Sequence, residues 1–195
     1  MTLSLAAERG APASLDVPLL VIALAAGTAL DEPLVALDRL LGGAIDRLLG
    51  RRDFRAGRDE ALHLAGGATG PARILLIGIG KTERVSGLRR AGALAARQAG
   101  RMGAGRLAFY AGTLDQRETE AVALGLNVGA WEYTDTKTPP PDEERRAPLT
   151  SAVILGADAA GLDDGRALAE GHGLARTLGM MPGNLCTPDF LADTA

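Results

Sequence analysis

The chain has 195 residues, 47% of them hydrophobic and 23% charged, with a formal net charge of −3. That is enough apolar material for a packed core, which excludes a disordered chain, and the mild acidity gives no global case for nucleic acid. Aromatics supply only 3%, so the core must rest on close contacts among Ala, Gly and Leu. A lone cysteine, Cys186, excludes an internal disulfide framework and fits a reducing compartment. No basic stretch precedes the apolar N-terminal residues, and residues 19–26 are too short to span a bilayer, so a cytoplasmic location without a membrane partner is expected.

In chain order, residues 2–6 alternate weakly as a first strand, and residues 8–14 read as a loop by their Gly and Pro. Residues 18–25 (PLLVIALA) form an apolar core strand. Asp31-Glu32-Pro33 then starts a helix, with Leu34, Leu37, Leu41, Ile45, Leu48 and Leu49 as its apolar positions and Gly42-Gly43 as a break. Residues 51–59 (RRDFRAGRD) read as a surface connection, and residues 61–64 as a short strand. The central stretch is 73–102. Residues 73–77 (RILLI) read as a strand covered on both faces, Gly78 and Gly80 as the brackets of a turn, and Val85, Leu88, Gly92, Ala95, Ala99 and Met102 as one face of a long helix. That small-residue face lets the helix lie close to the sheet, while Arg90, Arg97 and Arg101 fall on the opposite side.

A strand at 106–110 and a helix at 116–129 follow, the latter with Thr119, Val122, Ala123 and Leu126 inside. Residues 135–148 carry three consecutive prolines and mixed charge, the pattern of an exposed loop. A last strand at 152–155, a long helix at 162–181 and a sharp break at 182–188 lead to a new helix, with Thr187 as cap and Pro188 at its first position. The alternation predicts an α/β fold, a largely parallel sheet between helix layers. The chain stops at Ala195, about two turns into that last helix, the pattern expected of a truncation.

No catalytic claim follows from the residues. Gly80-Lys81-Thr82 after a buried strand suggests a phosphate loop, but the first glycine of that motif falls on Leu75, inside the strand; a dinucleotide fingerprint fails at Glu83. His63 and His172 lie far apart in sequence, and no compact metal site is legible. Cys186 has no assignable base, which makes it a small apolar residue. Asp158, Asp163 and Asp164 suit the start of a helix better than a carboxylate pair. Lys81 to Arg106 holds seven Lys or Arg and one acid, Glu83; an anionic partner could use it, but a solvated helix face is the preferred reading.

Four segments, in order, resemble the N-terminal part of the leucyl aminopeptidase (cytosol aminopeptidase) family. Residues 54–64 (FRAGRDEALHL) are similar to a segment of Phe, Gly and Glu leading into a strand, and residues 74–81 (ILLIGIGK) to a strand followed by G-x-G-K. Residues 120–137 (EAVALGLNVGAWEYTDTK) resemble a Glu- and Tyr-containing segment ending in Lys. Residues 176–188 (RTLGMMPGNLCTP) resemble the interdomain hinge, the most specific of the four. Trp131 and Tyr133 stand where Tyr and Phe are usual, Thr136 where Tyr is, and Met180 where Asn is.

The resemblance implies a macro-domain-like three-layer fold, a mixed, mostly parallel sheet flanked by helices. It implies an N-terminal domain over 1–175 and, over 176–195, a hinge and the start of a catalytic domain. It implies a parent metalloprotease, a hydrolase that removes N-terminal residues from peptides, is assembled as a homo-hexamer, and holds two divalent metals (Zn or Mn) in that second domain. No catalytic, cofactor-binding or metal-binding residue is carried over to this chain, which on this reading binds no cofactor and is inactive alone. Two alternatives are a module binding an ADP-ribose-type ligand, as macro domains do, and a DNA-binding domain using the arginine strip.

Overall fold

A computed structural model describes residues 3–81, 83–139 and 141–195. Six strands form one sheet: β1 (Ser4–Glu8), β2 (Leu20–Ala25), β3 (Ala61–Ala65), β4 (Arg73–Gly80), β5 (Arg106–Tyr110) and β6 (Ser151–Leu155), in the order β1-β6-β5-β2-β4-β3. Every pairing is parallel except that of β3 with β4. The central strands β2 and β4 are buried almost throughout, as their continuous apolar runs demand of a sheet covered on both faces.

One face carries α1 (Glu32–Leu40) and α2 (Ala44–Arg51), whose Leu34, Leu37 and Ile45 pack on Leu20, Ile22, Ile74 and Leu76. The other carries α3 (Arg84–Met102), α4 (Gln116–Ala130) and α5 (Ala159–Met180), with Leu88, Val122 and Leu162 over Val21, Leu75 and Phe109. The last helix, α6 (Pro188–Thr194), has no buried residue. The α/β expectation holds, with a mostly parallel sheet between helix layers.

Helix starts follow the sequence closely. Asp31 caps α1 by accepting from the Leu34 amide (3.0 Å), and Asp115 and Glu118 form a reciprocal capping box on α4. Thr187 accepts from the Phe190 amide (3.2 Å), as its sequence position predicts. The break at Gly42-Gly43 is also present. Gly43 offers α2 no capping side chain, and Asp38 from α1 supplies the carboxylate instead, accepting from the amides of Ile45 (2.7 Å) and Asp46 (3.4 Å).

Several expectations need correction. The first strand is shifted to Ser4–Glu8; Thr2, its expected start, lies outside the described residues, as do Thr82 and Pro140. α5 begins at Ala159, because Asp158 caps it by accepting from the Gly161 amide (2.9 Å). The 135–148 loop contains one short 3-10 turn, Asp142–Glu144. Gly78 and Gly80 do not bracket a turn. They lie within β4, opposite Leu24 and Ala25, across a register irregularity in β2. Gly78 is required by close approach, since a Cβ there would lie 2.0 Å from the Gly57 carbonyl oxygen; Gly80 has φ +75°.

Residues 51–59, read as a surface connection, are therefore tied down. The Gly80 amide donates to the Ala56 carbonyl (3.0 Å), the Asp59 amide donates to Gly78 (3.0 Å), and Phe54 is fully buried.

The small-residue face of α3 is used differently from the expectation too. Gly87 does meet the sheet at Ile79, but the tightest contacts are between helices. A Cβ on Gly125 of α4 would lie 2.2 Å from the Arg89 carbonyl oxygen, and one on Gly129 2.2 Å from that of Ala93. Small residues bring α3 and α4 to near-backbone contact. Further along, Arg176 of α5 donates to the Val128 carbonyl at the end of α4 (3.1 Å) and stacks its guanidinium 3.9 Å from the centre of the Trp131 ring.

Candidate functional site

The connections after β2 and β4 leave on opposite faces, β2 into α1 and β4 into α3, although the strands are neighbours. Such a switch point opens a crevice beyond the carboxyl ends of the strands, where α/β sheets bind ligands. A cleft of about 950 Å³ lies there. Its walls come from Ala26–Leu30 after β2, α1, α2, the 52–55 loop, and Lys81 after β4. Leu30, Val35 and Leu49 give it apolar surface over the buried Phe54; Arg52, Arg55, Lys81 and Asp46 are exposed and charged.

The helix starts around this edge are already filled. Asp31 occupies that of α1, Asp38 that of α2, and Glu83 that of α3, where its carboxylate accepts from Val85 (3.3 Å) and Ser86 (3.1 Å). Those hydrogen bonds hold the Glu83 carboxyl below its ordinary pKa, the Ser86 amide contributing most. Asp31 also accepts from the Tyr110 hydroxyl (2.6 Å). Burial first, and then the Asp31 carboxylate, push the Tyr110 phenol well above its ordinary value. Backbone amides that would cradle a phosphate are thus spent on the chain's own carboxylates.

The residues singled out in the sequence are not brought together. Lys81 lines the cleft, but the glycines before it are strand residues, so no loop wraps a phosphate. His63 is exposed on the edge strand β3, and His172 lies on α5, whose Arg166 bonds the Leu5 carbonyl of the opposite edge strand. Cys186 is half-buried in the turn before α6. The three aspartates have separate duties: Asp158 caps α5, Asp163 pairs with Arg166 (2.9 Å), and Asp164 accepts from Gln116 (2.8 Å). Among the described residues, no three His, Cys, Asp or Glu side chains gather as a metal site.

The basic strip also divides. Arg84 pairs with Glu118, Arg90 with Asp59, and Arg106 donates to the Asp16 carbonyl, while Arg97 and Arg101 line a separate groove beside Trp131 and His172. No helix is long and apolar enough to cross a membrane, among the described residues. The cleft escaped sequence reasoning because its lining is spread over residues 26–55 and joined by Lys81 only through the pairing of β2 with β4 and the bonds of residues 56–59 to β4.

Comparison with known proteins places this geometry. The model of the "Cytosol aminopeptidase family, N-terminal domain" matches residues 21–140, more than half of the chain. A probable cytosol aminopeptidase of Xanthomonas axonopodis pv. citri is 34% identical over 206 residues, covering 100% of this chain and 41% of the relative. One from Alkalilimnicola ehrlichii is 32% identical over 176 residues, covering 82% of this chain and 35% of the relative. The chain therefore spans about two-fifths of the length of such relatives.

Among solved structures, a tomato leucine aminopeptidase mutant superposes with TM-score 0.76 at 25% identity, over 98% of this chain and 41% of that one. The bottromycin maturation enzyme BotP, in complex with Mn, shares the fold at TM-score 0.66 and 22% identity, over 91% of this chain and 35% of its own. The family-model match over most of the chain, with relatives more than 30% identical across it, shows that the chain belongs to the cytosol aminopeptidase family and corresponds to its N-terminal domain.

Proposed function

We propose that this chain is the non-catalytic N-terminal domain of a metal-dependent aminopeptidase whose intact form removes N-terminal residues from peptides in the cytoplasm. The observation that carries this reading is the family match itself: it is to the model of the N-terminal domain, and the relatives that cover the whole chain are more than twice as long. On this reading 1–175 is the domain, and 176–195 is a hinge and the beginning of the catalytic domain, which holds two divalent metals, Zn or Mn. The break in backbone after α5, at Met181 and Pro182, supports a hinge near that boundary. The intact protein assembles as a hexamer, and this domain contributes to that assembly.

The filled helix starts favour this reading over an ADP-ribose-binding module, and the divided arginine strip favours it over a DNA-binding domain. The test is turnover. The purified 195-residue chain is expected not to hydrolyse leucine p-nitroanilide with added Mn²⁺ or Zn²⁺, whereas a protein of the relatives' full length does so and loses activity to a chelator. Metal-dependent hydrolysis by the chain alone overturns the reading.

A further inference from the structure

We infer that the cleft beyond β2 and β4 binds the free carboxyl end of a short peptide, with Arg52, Arg55 and Lys81 as the carboxylate-binding groups. The three cations line one cleft, and none is ion-paired with a carboxylate among the described residues. Arg55 spends only its Nε, on the Arg52 carbonyl oxygen (3.4 Å). Unpaired arginines beside apolar surface match a carboxylate joined to apolar side chains, because guanidinium and carboxylate share a planar, two-point geometry.

The loop that presents the two arginines is held in place. Arg52, Ala56 and Asp59 all have positive φ (62°, 52° and 59°), and they are the only such non-glycine residues among those described. Left-handed backbone at side-chain-bearing residues is costly, and its clustering marks a segment whose conformation is fixed by its surroundings. Those surroundings are visible: Glu60 accepts from the amides of Arg55 (3.1 Å) and Gly57 (2.8 Å), and Gly78 admits the Gly57 carbonyl against β4. The two arginines therefore stand on a preset base, which lowers the ordering cost of binding.

A phosphate ligand fits less well. The amides at the starts of α1, α2 and α3 carry Asp31, Asp38 and Glu83, and Asp46 adds an exposed negative charge to the cleft. A peptide can use that charge: its amide or amino hydrogens can donate to Asp46 while its carboxylate meets the arginines. A cleft of about 950 Å³ lies at the upper end of small-ligand sites and has room for several residues. The choice of a peptide over another carboxylate rests on the aminopeptidase reading.

Calorimetric titration of the 195-residue chain with the tripeptide Leu-Gly-Leu as free acid is expected to saturate. The same peptide with its carboxyl end amidated should bind about tenfold more weakly, the scale of one lost charge-assisted contact. Arg55→Ala combined with Lys81→Ala should weaken the free acid by a similar factor and leave the amide unchanged, with the fold checked by circular dichroism. The acid–amide comparison needs no variant, so it holds whatever the variant does.

No saturable binding of the free acid, or equal affinity of acid and amide, overturns the proposal. Binding of AMP that the same variant abolishes, with no peptide binding, overturns it in favour of a phosphate ligand. Because binding is read without turnover, its failure leaves the aminopeptidase reading standing, and turnover by this chain would overturn that reading without touching the binding.

Discussion

The α3–α4 seam and the region from the distal half of α5 to α6 are both helical, yet they are built on opposite principles. At the seam, Gly125 and Gly129 sit so near the α3 backbone that a methyl group would collide with carbonyl oxygens. Beyond Ala169, no residue of α5 is buried, nor is any of α6. Large apolar side chains there remain open to solvent: Leu174, Met180, Leu185, Phe190 and Leu191 are between 40% and 53% exposed. The seam is an interior completed by residues of this chain. The distal region has apolar surface with no such completion among the described residues, so its helices depend on caps and on the Arg176–Trp131 stack. Buried close contact, and not helix propensity, separates the two.

Substitutions can break this contrast. Gly125→Val places branched carbon against the Arg89 carbonyl and is expected to cost about 3 kcal/mol or more in urea unfolding, the upper range for overpacking. An equal loss from Phe190→Ser would erase the contrast between the two regions.

Tyr110→Phe should cost about 1.5–2 kcal/mol, because it removes a hydrogen bond to the charged Asp31. The same bond has a pH signature. The folded phenol's pKa is raised, so its contribution is whole below the unfolded tyrosine value of about 10 and is lost as pH rises beyond it. Unfolding midpoints of the parent chain should therefore fall at alkaline pH more steeply than those of Tyr110→Phe.

Asn127→Ala tests the inner side of α4. Its side chain accepts from the Leu3 amide (3.2 Å) and donates to the Ala123 carbonyl (3.1 Å), so its loss should cost about 1 kcal/mol. The smallest effect is expected from Phe190→Ser, within about 0.5 kcal/mol of the parent, as for surface positions generally.

Much of this contrast is written locally in the sequence, and part of it is not. The apolar runs of β2 and β4 announce strands covered on both sides, and Asp31, Thr187 and Pro188 mark helix starts by chemistry confined to one turn. Thr119, Val122, Ala123 and Leu126 reach the core as their spacing requires. What local patterns do not carry is the partner of a small residue. Gly78 reads equally well as a turn glycine or as space for a crossing chain, and only the return of residues 56–60 over β4 decides it. The Ala and Gly face of α3 likewise does not say whether a sheet or another helix will meet it. The cleft is still less legible: Lys81 and Arg52 become neighbours through strand pairing, and no motif spans them.

The stack of Arg176 on Trp131 has an optical consequence. Trp131 is the sole tryptophan of the chain, and it stands where the end of α4 meets α5. Its emission therefore reports one junction with no labelling and no competing indole. Lifting α5 away from α4 would remove a cation from the indole face and admit water, shifting the spectrum. With selective excitation over the tyrosines, the steady fluorescence trace of Trp131 can thus follow the motion of this junction, because the sheet contains no tryptophan.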